Sequence, residues 1–209
     1  MLQFNNFQKS YGYTVILKIT DLTLEKGIYW IKGANGCGKS TLLKSVAGML
    51  SFDGEVLLDS VSVKKNSVGY KSVVNFSDAE PLFPLFLTGW EMVKLFSQAK
   101  KATNNQATQY IEEMRMQYYL DQQIGTYSSG MLKKLSLLLA FLGKPALILL
   151  DEPLITVDAD SLNVLYKWIK EKYEKDNTGF LISSHNSIES SVLPVFHEMI
   201  IDQQTLKKG

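Results

Sequence analysis

The segment GANGCGKST, residues 33–41, constrains the fold of this chain more than any other part of its sequence. An apolar stretch near Ile28–Ile31 predicts a strand before it, and STLLKSVAGML after it predicts a helix ending near Gly48. The spacing G-x-x-x-x-G-K-[ST] between a strand and a helix is typical of a loop that holds phosphate groups. Its glycines let backbone N–H groups turn toward an anion, and the helix N-terminus adds partial positive charge. The sequence therefore predicts a phosphate-binding site in an α/β fold.

Each polar side chain of this loop has an expected role. Lys39 supplies a point charge for the β- and γ-phosphates, the Ser40 hydroxyl is a Mg²⁺ ligand, and Thr41 donates to the α-phosphate. Cys37 is the only cysteine of the chain, and we expect its backbone N–H to matter more than its thiol. A redox role for that thiol at a helix start is the alternative. The residues predicted to bind nucleotide here are Gly33, Asn35, Gly36, Cys37, Gly38, Lys39, Ser40 and Thr41.

Two acids end the segment ALILLDEP, residues 146–153. Its continuous apolar run predicts a strand buried on both faces. We expect Asp151 to hold Mg²⁺ through water opposite Ser40, and Glu152 to act as general base toward the attacking water. A pair of surface acids is the alternative. His185 ends another apolar run, FLISSH, and can contact the γ-phosphate and the water, although a single histidine is more often structural.

Composition excludes several classes of protein. The 209 residues carry 22 Lys plus Arg and 21 Asp plus Glu, which argues against a protein whose main task is to bind nucleic acid. One cysteine allows no intramolecular disulfide, and the N-terminus lacks a secretory pattern. The longest apolar stretch, Leu135–Leu150, is interrupted at residues 143–145 and is no candidate for a membrane helix, which needs about 20 apolar residues. We expect a soluble, intracellular, globular chain of one large or at most two small domains.

Strands alternate with helices along the chain, which predicts a mainly parallel sheet. The strand-rich start predicts an antiparallel β portion, and the region from about Trp90 to Tyr119 predicts a helical insertion with a break at TNNQAT. The other predicted strands are DGEVLLD, KSVVNF, ALILLD, FLISS and an edge hairpin in VFHEMIIDQQTLKK, and the other predicted helices are MLKKLSLLLAFLG and the amphipathic SLNVLYKWIKEKYEK.

From about Phe4 to Asp202, the chain resembles the ATP-binding subunits of ATP-binding cassette (ABC) transporters. The specific signal is a short segment that precedes the predicted strand ALILLD. This segment is usually LSGGQ in that family and is YSSGM here. Ser128 and Gly130 match, whereas Ser129 replaces a glycine. A helix N-terminus with a hydroxyl and a small residue is again an anion site, so the resemblance implies that Ser128, Ser129 and Gly130 contact nucleotide.

The resemblance assigns roles to further side chains. Tyr11 resembles the aromatic residue that stacks on adenine, with Tyr13 a weaker substitute, and Asp158 in LITVD resembles the aspartate of the loop that crosses the dimer interface. His185 resembles the switch histidine. The family's usual glutamine, which reaches Mg²⁺ and the attacking water, is missing from VVNFSDAEPLFPLFLTGWE, and Glu80 is our candidate substitute.

The resemblance implies a P-loop NTPase fold of the ABC-ATPase type, with a mainly parallel sheet, an antiparallel β subdomain and a helical subdomain. Residues 1–209 then form a single ATP-binding domain, with about 1–88 and 132–209 as the core and about 89–131 as the helical subdomain. The resemblance assigns catalytic roles to Lys39, Glu152 and His185. It assigns metal binding to Ser40, Asp151 and Glu80.

The implied function is that of an ATP-hydrolysing subunit that dimerises on ATP and drives separate membrane subunits, with export as the favoured direction. Two copies, or one copy and a related chain, would pair head to tail at the inner face of the cell membrane. The segment PLFPLFLTGW, residues 81–90, either docks a membrane subunit or packs into the core. Two alternatives stay open, namely a soluble non-transport ATPase of this type and a regulatory module with degraded catalysis.

Overall fold

Two β-sheets organise the computed structural model, which describes residues 1–185, 193 and 196–209. One sheet has four antiparallel strands in the order β2-β1-β4-β5. The other has six strands in the order β10-β9-β3-β8-β7-β6, all parallel except β10 at the edge. The predicted combination of a mainly parallel sheet with an antiparallel portion is thus confirmed. The strands are β1 (Leu2–Tyr11), β2 (Thr14–Leu24), β3 (Ile28–Lys32), β4 (Asp53–Leu58), β5 (Val61–Ser62), β6 (Val74–Ser77), β7 (Leu147–Asp151), β8 (Gly179–Ser183), β9 (Phe196–Asp202) and β10 (Thr205–Lys208).

Most of the α-helices begin at polar caps that the sequence supplies, the exception being the helix that follows Gly38. Thr88, Thr103, Ser128 and Asp158 each accept a hydrogen bond from a backbone N–H in the first turn of the helix that follows, which satisfies a donor left without an intrahelical partner. The helices are α1 (Lys39–Val46), α2 (Ser67–Val73), α3 (Gly89–Ala99), α4 (Asn104–Glu113), α5 (Ser129–Phe141) and α6 (Ala159–Asp176), with a short 3₁₀ helix at Ile124–Thr126.

The parallel sheet separates two apolar cores. Side chains alternate along a strand, so Ile28 and Trp30 of β3 pack in the core that also contains residues of α3, α4, α5 and α6. Tyr29 and Ile31 pack on the opposite face, in the core shared with α1 and the antiparallel sheet. Strands covered on both faces must be apolar throughout, which explains the continuous apolar run of β7.

Two local predictions were wrong in their boundaries. KSVVNF is not a strand throughout, because α2 continues to Val73, and only the last three residues of the segment lie in β6. The side chain of Asn66 caps α2, and complete burial of Tyr70 stabilises the helix against the β propensity of its valines. The break predicted at TNNQAT lies just before that segment, between the end of α3 at Ala99 and the cap residue Thr103. The rest of the segment is the start of α4.

The segment between β6 and α3 has no regular structure, as its two prolines predicted. It leaves Leu82, Leu85 and Phe86 exposed at 95%, 65% and 73%. Within the ranges that the structure describes, no helix has the length and apolarity needed to cross a membrane.

Candidate functional site

The predicted phosphate loop connects the end of β3 to α1. Gly38, with φ of 107°, precedes the first helical residue, and a side chain there would be strained. A Cβ at Gly33 would lie 2.5 Å from the Sγ of Cys37, so the loop closes on itself at this point. The thiol of Cys37 thereby packs inside the loop, and its backbone N–H donates to the carbonyl of Ala34.

Lys39 is the buried cation of this loop, with 6% of its surface exposed. Its Nζ donates to the carbonyl oxygens of Gly33 at 2.8 Å and Ala34 at 3.2 Å, and lies 3.5 Å from Nδ1 of His185. The ammonium is therefore held at the centre of the loop, where a phosphate oxygen can replace a carbonyl as its acceptor.

Asp151 ends β7 and is 1% exposed. Its Oδ1 accepts a hydrogen bond of 2.5 Å from the Ser183 hydroxyl, whereas Oδ2 is buried without a hydrogen-bond partner among the described residues. A buried carboxylate oxygen without a donor is costly unless another group binds it. Asp151 therefore offers one oxygen to a ligand.

Glu152 follows with a left-handed backbone, φ 45°, and its N–H donates to the carbonyl of Ser183 at 3.0 Å. This sparsely populated conformation turns the side chain away from the strand direction. Its Oε1 lies 3.0 Å from Nε2 of His185, and Oε2 accepts from the backbone N–H of that residue at 3.2 Å. The predicted base and the predicted switch histidine are thus direct neighbours.

These groups surround one cavity of about 210 Å³. Its walls come from the phosphate loop, the first turn of α1, the residue after β7 and the residues after β8. The lining residues are Asn35, Gly36, Gly38, Lys39, Ser40, Thr41, Glu152 and His185, all of which the sequence had singled out.

The donor set fits Mg²⁺. The free Oδ2 of Asp151 and the Ser40 hydroxyl are hard oxygen ligands, the kind that Mg²⁺ prefers. Nowhere in the described ranges do three or more His, Cys, Asp or Glu side chains form a group that could hold a metal ion by themselves.

Glu80, the third predicted metal residue, is exposed and does not line the cavity. Two positions earlier, Oδ2 of Asp78 forms an ion pair of 2.9 Å with Lys44 in the last turn of α1. The backbone N–H of Glu80 donates to Oδ1 of Asp78 at 3.4 Å. The role of Glu80 toward a metal stays a prediction.

The YSSGM segment lies outside this cavity. Ser128 caps α5, with its Oγ accepting from the N–H of Met131 at 3.3 Å, and Ser128 and Ser129 are exposed. A Cβ at Gly130 would lie 3.0 Å from the carbonyl of Thr156, so the segment packs closely on the loop after β7.

Asp158 also lies outside the cavity. It caps α6, and its Oδ2 is 2.7 Å from Nζ of Lys134. The hydrogen bond from Lys134 holds the pKa of this carboxyl well below its usual range. Asp158 is therefore ionised and oriented at the start of α6.

Tyr11 ends β1 opposite Thr14 and is 51% exposed. Two positions after Thr14, the side chain of Ile16 lies against Gly38, since a Cβ there would be 3.0 Å from it. The hairpin therefore brings β2 against the end of the phosphate loop, while the Tyr11 ring lies with its centroid 4.6 Å from Nζ of Lys9 and Tyr13 is fully exposed at the turn. The stacking role of Tyr11 stays a prediction.

Sequence reasoning missed two residues that shape the site. Ser183 holds Asp151, and Lys133 of α5 is 1% exposed and donates to the carbonyls of Asp78 at 2.7 Å and Asp151 at 2.8 Å. Burial lowers the pKa of Lys133 to about 8, and the nearby carboxylates oppose that shift. Helical periodicity could have revealed this lysine, because it lies one turn before the buried Leu137 on the same face of α5.

Comparisons with known proteins agree with this geometry. The family model for ABC transporters matches residues 17–155. The chain is 31% identical over 190 residues to the ABC transporter ATP-binding protein YtrB of Bacillus subtilis, covering 88% of this chain and 63% of that protein. It is 28% identical over 192 residues to the linearmycin resistance ATP-binding protein LnrL of the same organism, covering 88% and 61%. It is 26% identical over 194 residues to the Fe(3+) ions import ATP-binding protein FbpC of Pasteurella multocida, covering 90% and 56%.

This chain thus spans about three fifths of the length of each of these relatives. Among solved structures, the ATP-binding subunit of an ABC transporter matches with a TM-score of 0.89 at 21% identity, over 100% of this chain and 89% of that one. A dimeric ATP-binding cassette bound to ADP and Pi matches with a TM-score of 0.83 at 17% identity, over 100% and 98%. These structures show the fold. The chain therefore belongs to the ABC transporter family, whose general activity is ATP hydrolysis.

Proposed function

We propose that this chain binds ATP with Mg²⁺ and hydrolyses ATP as the ATP-binding subunit of an ABC transporter. The observation that carries this proposal is the meeting of Lys39, Ser40, Glu152 and His185 around one cavity. The residue before Glu152, Asp151, adds a buried carboxylate oxygen without a partner among the described residues, although it does not itself line the cavity. A phosphate-binding cation, a metal ligand and a base are the parts that phosphoanhydride hydrolysis requires.

In this mechanism Lys39 and the backbone N–H groups of the loop bind the β- and γ-phosphates. Glu152 accepts a proton from a water whose oxygen bonds to the γ-phosphorus, while the bond from that phosphorus to the bridging oxygen breaks and ADP leaves. His185, 3.0 Å from Glu152, orients the base. Mg²⁺, held by Ser40 and Asp151, would supply positive charge to the phosphates.

The proposed active unit is a head-to-tail pair of chains, each forming a single domain over residues 1–209 with residues of about 89–131 as the helical subdomain. Two observations support the pair. Ser128, Ser129, Gly130 and Asp158 are nucleotide contacts by resemblance but lie outside their own chain's cavity. A dimeric cassette is also among the structures of similar fold.

Separate membrane subunits are the proposed partners, which would hold the chain at the inner face of the cell membrane. The exposed Leu82, Leu85 and Phe86 favour docking over packing for their segment, because large apolar side chains clustered in an irregular segment mark an interaction site. We favour export, supported by the likeness to a resistance protein, while the likeness to an iron importer supports the opposite direction. Transport into or out of vesicles that contain the complete complex decides between them.

Hydrolysis of Mg-ATP at increasing protein concentration tests the proposed function. We expect specific activity to rise with concentration, because each chain carries two half-sites. A rate per chain that stays constant down to the most dilute sample would contradict the paired mechanism. A regulatory module, which the absence of a glutamine after β6 favours, would bind Mg-ATP without hydrolysing it at any concentration.

A further inference from the structure

Lys133 joins two parts of the molecule that are far apart in sequence. Its buried Nζ donates at 2.7 Å to the carbonyl of Asp78, the first residue after β6, and at 2.8 Å to the carbonyl of Asp151, the last residue of β7. Asp151 is the proposed metal residue, whereas Asp78 begins the segment that leads to the exposed apolar side chains. One ammonium group thus connects the nucleotide site to the start of this segment.

Other contacts hold the same point. The side chain of Asp78 pairs with Lys44 at 2.9 Å, which connects it to the helix that follows the phosphate loop. One residue earlier, the hydroxyl of Ser77 lies 2.9 Å from that of Ser136, one turn beyond Lys133 on α5. Asp78 is therefore held between α1, α5 and β7, whereas Leu82 is 95% exposed only four residues later.

The two hydrogen bonds of Lys133 tie the backbone at Asp78 to the backbone at Asp151. A charged donor forms shorter and stronger hydrogen bonds than a neutral one, and separating it from either carbonyl would leave a buried charge with fewer acceptors. Both acceptors are backbone atoms, so the connection does not depend on which side chains the segment carries. It therefore operates in a segment that lacks a glutamine.

We propose that Lys133 is a positioning residue that couples the nucleotide state at Asp151 to residues 78–87, the segment proposed to contact the membrane partner. This inference rests on the proposed function. The coupling is mechanical: a displacement of the end of β7 when nucleotide is bound or lost moves Asp78 with it. Coupling of this kind requires that both sites bias the same structural element, and here that element is the start of the segment.

Hydrogen–deuterium exchange of the purified chain tests the proposal, with K133M as the variant, K133R as its conservative counterpart and K94M as the control. Lys94 is exposed on α3. Without nucleotide, K133M should speed exchange in residues 77–88 by about fivefold, the change produced by one lost buried hydrogen bond. K133R should restore slow exchange, and K94M should leave it as in the unmodified chain. Exchange in K133M that is unchanged, or that rises equally in all segments, would overturn the proposal.

The second arm adds Mg-ATP. We expect nucleotide to slow exchange in residues 77–88 of the unmodified chain and of K133R, but not of K133M, although K133M binds nucleotide with an affinity within about threefold of the unmodified chain. A full nucleotide response in K133M would overturn the coupling.

Failure of the proposed function would look different from failure of this inference. An unmodified chain that does not bind Mg-ATP contradicts the function, while the comparison without nucleotide still decides whether Lys133 holds the segment. If K133M does not fold, K133Q replaces it, because its uncharged and shorter amide leaves a polar group in the site but cannot bond to both carbonyls as the ammonium does. K133Q should then show faster exchange confined to residues 77–88, and exchange equal to that of the unmodified chain would overturn the proposal.

Discussion

The phosphate loop and the segment between β6 and α3 are both irregular connections that leave strands of the parallel sheet, and they differ in where their side chains point. The loop buries its cation, with Lys39 at 6% exposure and bonded to carbonyls of the same loop. The segment exposes three apolar side chains, with Phe86 at 73%, while Phe83 and Leu87 pack partly against the core. One connection is closed around a small polar site, and the other presents apolar surface to solvent.

This difference separates two kinds of binding. A small anion is bound by inward-pointing backbone N–H groups and a buried charge, which work in a single chain. Exposed apolar surface becomes favourable only when another molecule covers it. We therefore expect substitutions in the loop to affect the isolated chain, and substitutions in the segment to affect only its complexes.

The largest expected effect is that of Glu152→Gln. Loss of the general base should reduce ATP hydrolysis by about 10² to 10⁴, while nucleotide binding is retained. Steady-state phosphate release measures the rate, and gel filtration with ATP should show the variant as a stable dimer. Glu174→Gln on the exposed surface of α6 is the control. A monomeric Glu152→Gln variant that hydrolyses ATP at the normal rate would contradict the site.

Lys39→Ala comes next and tests the closed loop directly. Removing a charged donor to two phosphate groups should weaken ATP binding by at least about 100-fold, since each charge-assisted hydrogen bond contributes about 1.5 to 3 kcal/mol. Calorimetric titration with Mg-ATP gives the affinity, and Lys170→Ala, another exposed position of α6, is the control. Unchanged affinity would show that the loop does not bind the phosphates.

Tyr11→Ala should have a smaller effect and distinguishes the two tyrosines of the hairpin. Loss of base stacking should weaken ATP binding by about fivefold, or about 1 kcal/mol, at the low end of the range because half of the ring is exposed. Tyr11→Phe should bind as the unmodified chain does. If Tyr13→Ala weakens binding instead, the assignment of Tyr11 is wrong.

The smallest effect on the isolated chain is expected for the double variant Leu85→Asp/Phe86→Asp. Both side chains are exposed, so the melting temperature and the ATPase rate should stay within the range of surface substitutions, about 0.5 kcal/mol in stability. Co-purification with membranes of the native host should be lost. Leu95→Asp, at a 53% exposed position of α3, is the control and should co-purify normally. Loss of stability in the double variant would show that the segment is packed.

The sequence predicted the parts of the site that depend on local pattern. The phosphate loop and the end of β7 are contiguous segments whose residues and flanking apolar runs specify the backbone, and the structure brings Lys39, Glu152 and His185 together as expected. It did not predict what depends on packing between distant segments. The carbonyl of Asp78 meets Lys133 across 55 residues, and no pattern within either segment indicates that partner.

The same limit explains the local errors. Burial of Tyr70 decides that KSVVNF begins as a helix, and the cap at Thr103 decides where α4 begins. Glu80 was chosen by its position in the sequence, and its role toward a metal stays a prediction; the structure shows only that the nearby Asp78 pairs with Lys44 of α1. To choose between Asp78 and Glu80, which are two positions apart, one must know how the backbone orients each side chain, and a motif does not specify this orientation.

The contacts of Lys39 with its own loop make nucleotide binding an exchange reaction. The carbonyls of Gly33 and Ala34 accept hydrogen bonds from the ammonium group, so they compete with any phosphate oxygen for it. A bound nucleotide must replace these carbonyls with its phosphate oxygens as acceptors for Lys39. A diphosphate has one phosphate group fewer than a triphosphate to do so. Weaker retention of the product than of the substrate is therefore built into the resting loop.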